Sequence, residues 1–528
     1  MDGDHSMTNN KEEIHDFPHS YWLESIDLPQ FSQLNEDLDV DVAIVGGGIT
    51  GITAAYLLAN EGLKIALLEG DRLLNGTTGH TTAKVTAQHD LIYDELISNL
   101  GENRAKLYFE ANKEAMNFIK NTISKLQIDC DFLEQDAIIY ATTDKYEKKL
   151  QKEADAYKQL GINGYLTKEI PLDFNIKNAI IMKEQAQFHP LKYLSALLQT
   201  LVEKDVHIFE NTVAVKVEKG KRPIVKTRNG ASVTSNYVLS CTHFPFYEGK
   251  GLYSARMYAE RSYVLAAKTK KSYPGGMYLS AEDPKHSLRS AVINKEEMVL
   301  IAGYSHQTGK DEKTLEKYKA LEAFGENVFG LEAVPYHWSA QDLITLDKVP
   351  YIGPITSDRP NVLIATGYRK WGMTNSVVAA LLFRDRIIGK ENGFEKLFTP
   401  SRFHLNPSAK KLAKVNTEVI TELVKGKLEK SDFDPENLKN DEGAVITVEG
   451  QRKGAYKDVD GMLHVVDTTC THAGCEVNWN DGERSWDCPC HGSRFSYTGE
   501  VIEGPAEKPL QKYDYKMIDN LTSEDSGY

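Results

Sequence analysis

The stretch Val42-Ala-Ile-Val-Gly-Gly-Gly-Ile-Thr-Gly51 decides the fold of this chain of 528 residues. Residues 39–45 form an apolar run typical of a buried parallel strand, and the run stops at three consecutive glycines. Good helix formers follow at once, so the glycines lie between a strand and a helix. Gly46, Gly48 and Gly51 thus form a G-x-G-x-x-G loop, which lets a pyrophosphate approach the backbone at the helix N-terminus. The sequence therefore predicts a dinucleotide-binding fold.

A second strand is predicted over residues 64–68, which completes a βαβ unit and ends at Glu69. A carboxylate at that position can accept hydrogen bonds from both ribose hydroxyls of a dinucleotide. The loop does not by itself separate FAD from NAD. A reductase that uses NAD(P)H to reduce FAD usually has a second such loop, and the sequence offers none, which favours a single dinucleotide.

Composition narrows the class of protein. Lysine and arginine number 62 against 76 aspartates and glutamates, a net charge of -14, which argues against nucleic acid as the main partner. No apolar run reaches the roughly 18 residues of a membrane span. The first 37 residues are polar and acidic and have no secretory pattern, so a soluble, cytoplasmic protein without a transmembrane segment is expected.

Further along the chain, the pattern is that of a nucleotide-binding domain interrupted by a sheet-bearing insertion. Residues 93–126 and 145–160 have helical spacing, and residues 361–366 form an apolar strand before a closing helix over residues 377–389. Residues 407–430 predict a basic, amphipathic connecting helix. From residue 443 onward, short alternating strands and many glycines predict a small β domain.

Four of the six cysteines lie within this C-terminal part, in two short loops. Cys470-Thr-His472-Ala-Gly-Cys475 is followed by Cys488-Pro-Cys490-His491-Gly-Ser493. Two thiolates and two imidazoles could hold a tetrahedral zinc ion. Two loops of this composition, each with an extra cysteine, also match the pattern of a Rieske [2Fe-2S] cluster, which the spacing favours.

Residues 38–400 resemble the glycine and D-amino-acid oxidase or dehydrogenase flavoproteins, the DadA-like group. The resemblance rests on residues 42–51 with Ala66-Leu-Leu-Glu69, on Thr212-Val-Ala-Val-Lys-Val217 and residues 237–242, and on residues 338–353 and 362–373. It covers about residues 38–400 and implies FAD, an inserted substrate sheet and hydride removal from a C–N bond.

The resemblance also implies which residues contact FAD. His80 matches the histidine that one branch of these flavoproteins joins covalently to FAD, so a covalent link is a hypothesis, with a hydrogen-bonding wall as the alternative. The implied FAD contacts are Gly46, Gly48, Gly51, Glu69, Thr77, Thr78, His80, Thr81, Val215, Thr242, Gly367, Gly372 and Met373.

Substrate contacts are expected from arginines that could hold a carboxylate and from aromatic residues that could shield a flavin face. No general base is assigned. The candidates are Arg256, Tyr258, Arg261, Tyr304, Lys370 and Trp371.

Residues 440–518 resemble Rieske domains of the respiratory-complex subgroup. The resemblance implies that Cys470, His472, Cys488 and His491 ligate the two irons and that Cys475 and Cys490 form a disulfide. A disulfide is unusual in a reducing cytoplasm, so two free thiols are the alternative. Ser493 matches a hydroxyl that donates to a bridging sulfide, and Phe495 replaces a tyrosine of the subgroup.

The expected fold is an α/β Rossmann-type FAD-binding domain with an inserted α+β substrate domain, followed by a small all-β Rieske domain. The expected reaction is dehydrogenation of an amine or amino acid, with electrons passing singly to the cluster and on to an unidentified acceptor. An electron-transfer component reduced by a protein partner, and a redox sensor, are the alternatives. The predicted segments are an extension over 1–37, the flavoprotein over 38–405 with insertions near 111–180 and 246–340, a linker over 406–435 and the Rieske domain over 436–528.

Overall fold

The computed structural model describes residues 17–402 except 312, residues 416, 417, 419, 421–423 and 433, and residues 435–513 except 449. Most of the predicted connecting helix therefore lies outside the described residues. Residues 416, 417, 419 and 421–423 within it are helical. No helix in this described part of the chain is long and apolar enough to cross a membrane.

A six-stranded sheet carries the glycine loop. Val42–Val45 is central: it pairs in parallel with Tyr237–Ser240 on one side and with Ile65–Leu68 on the other. All four of its residues are buried, as expected for a strand covered on both faces. In spatial order the strands are Tyr351–Pro354, Val362–Thr366, Tyr237–Ser240, Val42–Val45, Ile65–Leu68 and His207–Phe209, with the first antiparallel to the second.

The helix after the glycine loop is apolar on all sides. Eleven of the twelve residues of Ile49–Asn60 are buried, because the helix packs between the sheet and the helices Gly372–Ile387 and Pro190–Glu203.

The bounds of two predicted helices differ from those in the structure. The closing helix begins at Gly372, five residues before its predicted start. The predicted helical stretch 93–126 is divided in two by Gly101, which has a φ of +84°. The helices are Tyr21–Glu24, Ile49–Asn60, Tyr93–Leu100, Glu102–Leu126, Asp144–Leu160, Pro190–Glu203, Leu315–Phe329, Gly372–Ile387 and Glu395–Phe398, with 3-10 turns at Thr77–His80, Tyr253–Ala255 and Pro435–Asn437.

A nine-stranded, mostly antiparallel sheet, built largely but not wholly from the two predicted insertions, forms the far wall of the site described below. A smaller four-stranded sheet contains Leu38–Asp39, Ser232–Thr234, Ile224–Thr227 and Ala214–Glu218. The nine-stranded sheet contains, in order, Leu331–Thr345, Met257–Thr269, Glu296–Gln307, His286–Ile293, Met277–Ser280, Leu133–Ala141, Asn178–Gln187 and Lys84–Val85, and Gly164–Thr167 also pairs with Asn178–Gln187.

The C-terminal domain consists of two four-stranded sheets around two tryptophans. A Cβ at Gly443 would lie 2.3 Å from the Trp479 ring, and one at Gly454 would lie 2.6 Å from the Trp486 ring, so each indole packs directly on a glycine backbone. The sheets contain Glu442–Val448, Gln451–Lys457, Leu463–Asp467 and Lys512–Tyr513, and Asn478–Asn480, Ser485–Asp487, Arg494–Ser496 and Val501–Glu503.

Part of the predicted N-terminal extension belongs to the flavoprotein core. Trp22 is 1% exposed, and its Nε1 donates a hydrogen bond to the Thr81 carbonyl oxygen at 2.8 Å. Ser20 Oγ donates to the Gly79 carbonyl oxygen at 2.6 Å. Residues 20–22 thus brace the threonine-rich segment that follows the second strand.

The C-terminal domain packs against the nine-stranded sheet and the helix Leu315–Phe329. Asp481 Oδ1 accepts hydrogen bonds from Thr314 and from the Leu315 backbone N–H. The Tyr318 hydroxyl donates to Glu483 at 2.6 Å, and Asn478 Nδ2 donates to the Gly309 carbonyl oxygen at 2.7 Å. These contacts join the two domains directly.

Candidate functional site

The glycine loop is shaped by close backbone contacts that exclude side chains. A Cβ at Gly51 would lie 1.9 Å from the Gly46 carbonyl oxygen, which allows the helix to start directly against the strand. Gly46 has a φ of +108°, and a Cβ there would lie 2.4 Å from the Cys241 carbonyl oxygen. The loop therefore leaves its backbone open to a ligand, as a pyrophosphate site requires.

Glu69 lies against this loop. Its Oε2 accepts a hydrogen bond from the Gly47 N–H at 2.7 Å, and its Oε1 accepts one from the Asp71 N–H at 3.0 Å. Burial raises the pKa of this carboxyl, although the backbone N–H groups partly offset the effect. A carboxylate oxygen has more than one acceptor site, so Glu69 can still accept from ribose hydroxyls.

A cavity of about 620 Å³ extends from the glycine loop to the nine-stranded sheet. Its volume and its glycine-lined end fit a dinucleotide with the pyrophosphate at the loop. Gly51 and Gly367 do not line it but pack beneath it, and a Cβ at Gly367 would lie 2.3 Å from Thr345 Cγ2. Val215 does not line it either. Ten of the predicted FAD contacts do: Gly46, Gly48, Glu69, Thr77, Thr78, His80, Thr81, Thr242, Gly372 and Met373.

His80 lies in the cavity wall with a fixed orientation. Its Nδ1 lies 2.9 Å from the Gly76 carbonyl oxygen, which can only accept, so Nδ1 carries the proton. Burial lowers the pKa of the imidazole and keeps it neutral. Nε2 is then the unprotonated nitrogen. Both a hydrogen-bonding wall and a covalent link to FAD are compatible with this tautomer.

The predicted substrate contacts divide into two groups. Lys370 and Trp371 line the cavity. Arg256, Tyr258, Arg261 and Tyr304 do not. Arg256 instead donates to the Pro400 carbonyl oxygen at 2.8 Å and lies over the Tyr351 ring, while Arg261 is fully buried between the two domains.

Lys84 is a cavity residue to which the sequence assigned no role. Its Nζ donates to the Tyr278 carbonyl oxygen at 2.8 Å and to Ser287 Oγ at 2.7 Å. Burial lowers the pKa of the ammonium to about 7. The signal was a single lysine at the end of the threonine-rich stretch 76–83, which contains no other lysine and no arginine, aspartate or glutamate.

Two more lysines line the same end of the cavity, and both are paired. Lys285 lies 3.1 Å from Asp90, and Lys370 lies 3.2 Å from Glu260. Among the residues that the structure describes, Lys84 forms no ion pair with a carboxylate. It is therefore the cavity lysine best placed to meet a negative charge on a ligand.

Trp371 is held in place by His89. The two rings are stacked with centroids 4.9 Å apart and an angle of 16°. His89 Nδ1 lies 2.7 Å from the Tyr108 hydroxyl and Nε2 lies 2.8 Å from the Thr86 carbonyl oxygen, so both ring nitrogens are hydrogen-bonded. Burial lowers the pKa of His89 to about 3, and this ring therefore stays neutral behind Trp371.

The four predicted cluster ligands meet in the C-terminal domain. Cys470 and Cys488 are 2% and 1% exposed and are hydrogen-bonded to each other. This hydrogen bond lowers the pKa of Cys470 and raises that of Cys488, because the Cys488 thiol donates to Cys470 and so stabilises the Cys470 thiolate.

His472 and His491 lie beside them, with ring centroids 4.9 Å apart and planes at 89°. The Nδ1 atom of each ring is buried and has no hydrogen-bond partner among the described residues. Burial lowers the pKa of both imidazoles, to about 4 in His491, so both are neutral. Two paired thiols and two unsatisfied Nδ1 atoms fit a cluster with two cysteine and two histidine ligands.

The predicted disulfide between Cys475 and Cys490 is present and ties the two ligand loops together. The Sγ atoms of Cys475, Cys488 and Cys490 lie within 4.8 Å of one another. Two of these sulfurs are bonded to each other, so they offer no thiolate to a metal. The predicted ligand set of two cysteines and two histidines is therefore unchanged.

Ser493 connects the ligand loops to the loop Gly504-Pro-Ala506. It is fully buried, hydrogen-bonds to Cys470 and accepts a hydrogen bond from the Ala506 N–H at 3.0 Å. Phe495 is also fully buried and lies across from Trp486 in the sheet. A hydroxyl near cluster sulfur stabilises the reduced state, so Ser493 is placed to raise the reduction potential.

The cluster site faces the flavoprotein cavity. Residues 501–507 of the C-terminal domain line the cavity together with the glycine loop. The His472 ring lies 6.2 Å from the ring of Phe244, which also lines the cavity. Gln341 Nε2 donates to the carbonyl oxygen of Gly492, the residue after His491, at 2.9 Å. The two predicted cofactor sites thus share a boundary.

Comparison with known proteins agrees with this division of the chain. A family model described as FAD dependent oxidoreductase (DAO) matches residues 41–386, and one described as Rieske [2Fe-2S] domain matches residues 431–514.

Similar proteins cover one or both parts. The Bacillus subtilis (strain 168) protein YhfW, named as a Rieske 2Fe-2S iron-sulfur protein, is 52% identical over 497 residues, 94% of this chain and 98% of the relative. A gamma-glutamylputrescine oxidoreductase from Escherichia coli (strain K12) is 22% identical over 69% of this chain and 87% of its own length. The crystal structure of glycine oxidase from Geobacillus kaustophilus aligns with a TM-score of 0.59 at 18% identity, covering 69% of this chain and 99% of the oxidase.

Proposed function

From the premise that the chain belongs to the DAO family of FAD-dependent oxidoreductases and ends in a Rieske domain, we propose that it dehydrogenates the C–N bond of an amine or amino acid. In the proposed reaction the electrons leave one at a time through its own cluster to an acceptor outside the chain. FAD and a [2Fe-2S] cluster are the cofactors of these two domains, and they supply a hydride acceptor and a one-electron carrier.

The observation that carries the proposal is the shared boundary between the two sites. Residues 501–507 line the FAD cavity, and the His472 ring faces Phe244 in its wall. A Rieske domain attached only through the connecting segment would not be expected to line the FAD cavity. The contact supports electron transfer within one chain.

The substrate end of the cavity favours a ligand with a carboxylate. Lys84 donates to two neutral oxygens and offers its remaining proton to a ligand. Lys285 and Lys370 line the same cavity, but each is paired with a carboxylate. The sheet residues that face this end are small: Ser262, Ala302, Gly303, Ser305 and Ala340. They leave room for a substrate between the sheet and the flavin position.

Two proteins with similar sequences or folds are consistent with this class. The names gamma-glutamylputrescine oxidoreductase and glycine oxidase both describe oxidation of compounds that contain a C–N bond. In the proposed reaction a C–H bond of the substrate breaks, its hydride goes to FAD, and the C–N bond becomes an imine. The proton of the amine is released to solvent.

The test is anaerobic reduction of the holoprotein with a panel of amino acids, N-methylated glycines and polyamines. A substrate is expected to bleach the flavin absorbance near ~450 nm, after which the EPR signal of the reduced cluster grows. Cys488→Ser, which removes a cluster ligand, is the matched control: its flavin should bleach with no EPR signal. Bleaching only by a reduced protein partner would instead indicate an electron-transfer component.

A further inference from the structure

The wall of the FAD cavity is built by both domains. Arg228 lines the cavity on the side of Glu69: its backbone N–H donates to the Val213 carbonyl oxygen at 2.8 Å, and Val213 Cγ2 would lie 3.7 Å from a Cβ on Gly70. The Arg228 guanidinium donates to the Glu507 carbonyl oxygen. Nearer the threonine-rich segment, His243 lines the cavity, with its Nδ1 3.6 Å from Glu503 and 3.4 Å from Thr77 Oγ1. Residues 501–507 therefore run along the half of the cavity that fits the dinucleotide's ADP portion.

We propose that the Rieske domain completes the FAD-binding site and retains FAD, so that FAD leaves only after this domain undocks. The proposal gives residues 501–507 a cofactor-binding role in addition to their position beside the cluster. It rests on FAD being the cofactor and does not depend on the substrate or on the proposed reaction.

Buried charges hold this wall closed. Arg261 projects from the flavoprotein sheet, is fully buried, and lies 2.9 Å from Glu503 and 3.9 Å from Asp487. Arg494 of the C-terminal domain lies 3.2 Å from Asp487 and 3.8 Å from Glu503. Separation of the domains would remove from Arg261 both of these carboxylates, and breaking a buried pair is strongly unfavourable.

The backbones of the two domains also approach closely beside the cluster. A Cβ at Gly309 would lie 2.6 Å from the Pro489 backbone nitrogen, and a Cβ at Gly492 would lie 2.5 Å from Ala259 Cβ. Pro489 and Gly492 flank the ligands Cys488 and His491. Only glycine fits at both positions while the domains are docked, because a side chain would push the backbones apart.

Gly309→Ala is therefore a variant that should loosen docking from outside the cavity, since Gly309 does not line it. Gly230→Ala is its matched control: Gly230 also has a positive φ, of +97°, but nothing lies within 4 Å of the added Cβ. Asp481→Ala, which removes the acceptor for Thr314 and Leu315, is a second undocking variant.

Two rates are measured on each holoprotein. One is release of AMP from FAD by added nucleotide pyrophosphatase, which reports exposure of the cofactor even if the flavin is covalently attached. The other is deuterium uptake by the strands Arg494–Ser496 and Val501–Glu503, which reports undocking. Gly309→Ala and Asp481→Ala are expected to raise both rates at least tenfold, and Gly230→Ala is expected to leave both within twofold of wild type.

The proposal is overturned if the strands exchange faster while FAD stays protected, or if FAD is exposed while the strands stay protected. The same two rates, AMP release and deuterium uptake, are also measured on the wild-type protein at increasing urea concentrations below its unfolding transition. There the two rates should rise together, and a rise in only one of them again rejects the proposal.

Discussion

Replacing Glu503 by glutamine should weaken the attachment of the C-terminal domain more than any other conservative change in residues 501–507. Burial by itself would raise the pKa of this carboxyl, but the hydrogen bond with His243 and the charges of Arg261 and Arg494 outweigh burial and lower the pKa to about 2. Glutamine keeps the shape of the side chain and removes the charge. The substitution therefore isolates the electrostatic part of the contact.

The size of the electrostatic stabilisation by Glu503 follows from the shift of its pKa. A fall from the ordinary value of 4.5 to about 2 corresponds to about 3 kcal/mol of stabilisation at neutral pH. The side chain is 24% exposed, so solvent screening is modest. Because the pKa is depressed, this contribution is complete above pH 4.5 and is lost as the pH falls toward 2.

The assay is urea unfolding of the holoprotein followed by the visible circular dichroism of the cluster. Glu500→Gln is the matched control, since Glu500 is 60% exposed and, among the described residues, pairs only with Lys512 of its own domain, a contact worth less than about 1 kcal/mol. We expect Glu503→Gln to lose about 2–3 kcal/mol at pH 7 and this loss to shrink between pH 5 and 3. Equal effects of the two variants, or a difference independent of pH, would refute the reasoning.

Gly51→Ala should yield protein without FAD, measured by the ratio of flavin to protein absorbance, whereas Gly62→Ala, whose Cβ meets nothing within 4 Å, should retain it. Lys84→Met should raise KM for a carboxylate-bearing substrate at least tenfold. In wild type that KM should climb above pH 7, where the lysine loses its proton, and in Lys84→Arg it should not. Reducing or removing the Cys475–Cys490 disulfide, which closes a 15-residue separation, should destabilise the cluster domain by about 3 kcal/mol and lower the temperature at which the cluster bleaches. Acid precipitation tests the hypothesis of a covalent link between His80 and FAD. If the yellow flavin stays in the pellet of the wild-type protein and moves to the supernatant in His80→Ala, the link is established. If the flavin is in the supernatant of both proteins, the link is rejected.

The cofactor chemistry was readable from the sequence because its residues are close neighbours in the chain. The strand, glycine loop and helix occupy 19 consecutive positions from Val42 to Asn60, and the structure brings them together as predicted. The cluster ligands lie in two loops of a few residues each, and the disulfide joins the same two loops. In both cases the local spacing of residue types already restricts which ligand can bind.

Residues that meet across the sheet could not be assigned in this way. Arg256 and Arg261 carry the charge expected of substrate contacts, yet one packs on Tyr351 and the other pairs with Glu503, 242 residues away in sequence. Lys84 reaches the substrate end only because its strand pairs beside Asn178–Gln187. The sequence alone therefore determined the fold class, the cofactors and the ligand loops, which depend on local spacing. The tertiary structure decided the substrate contacts and the docking of the domains, because strand order and packing bring together residues that no local pattern relates.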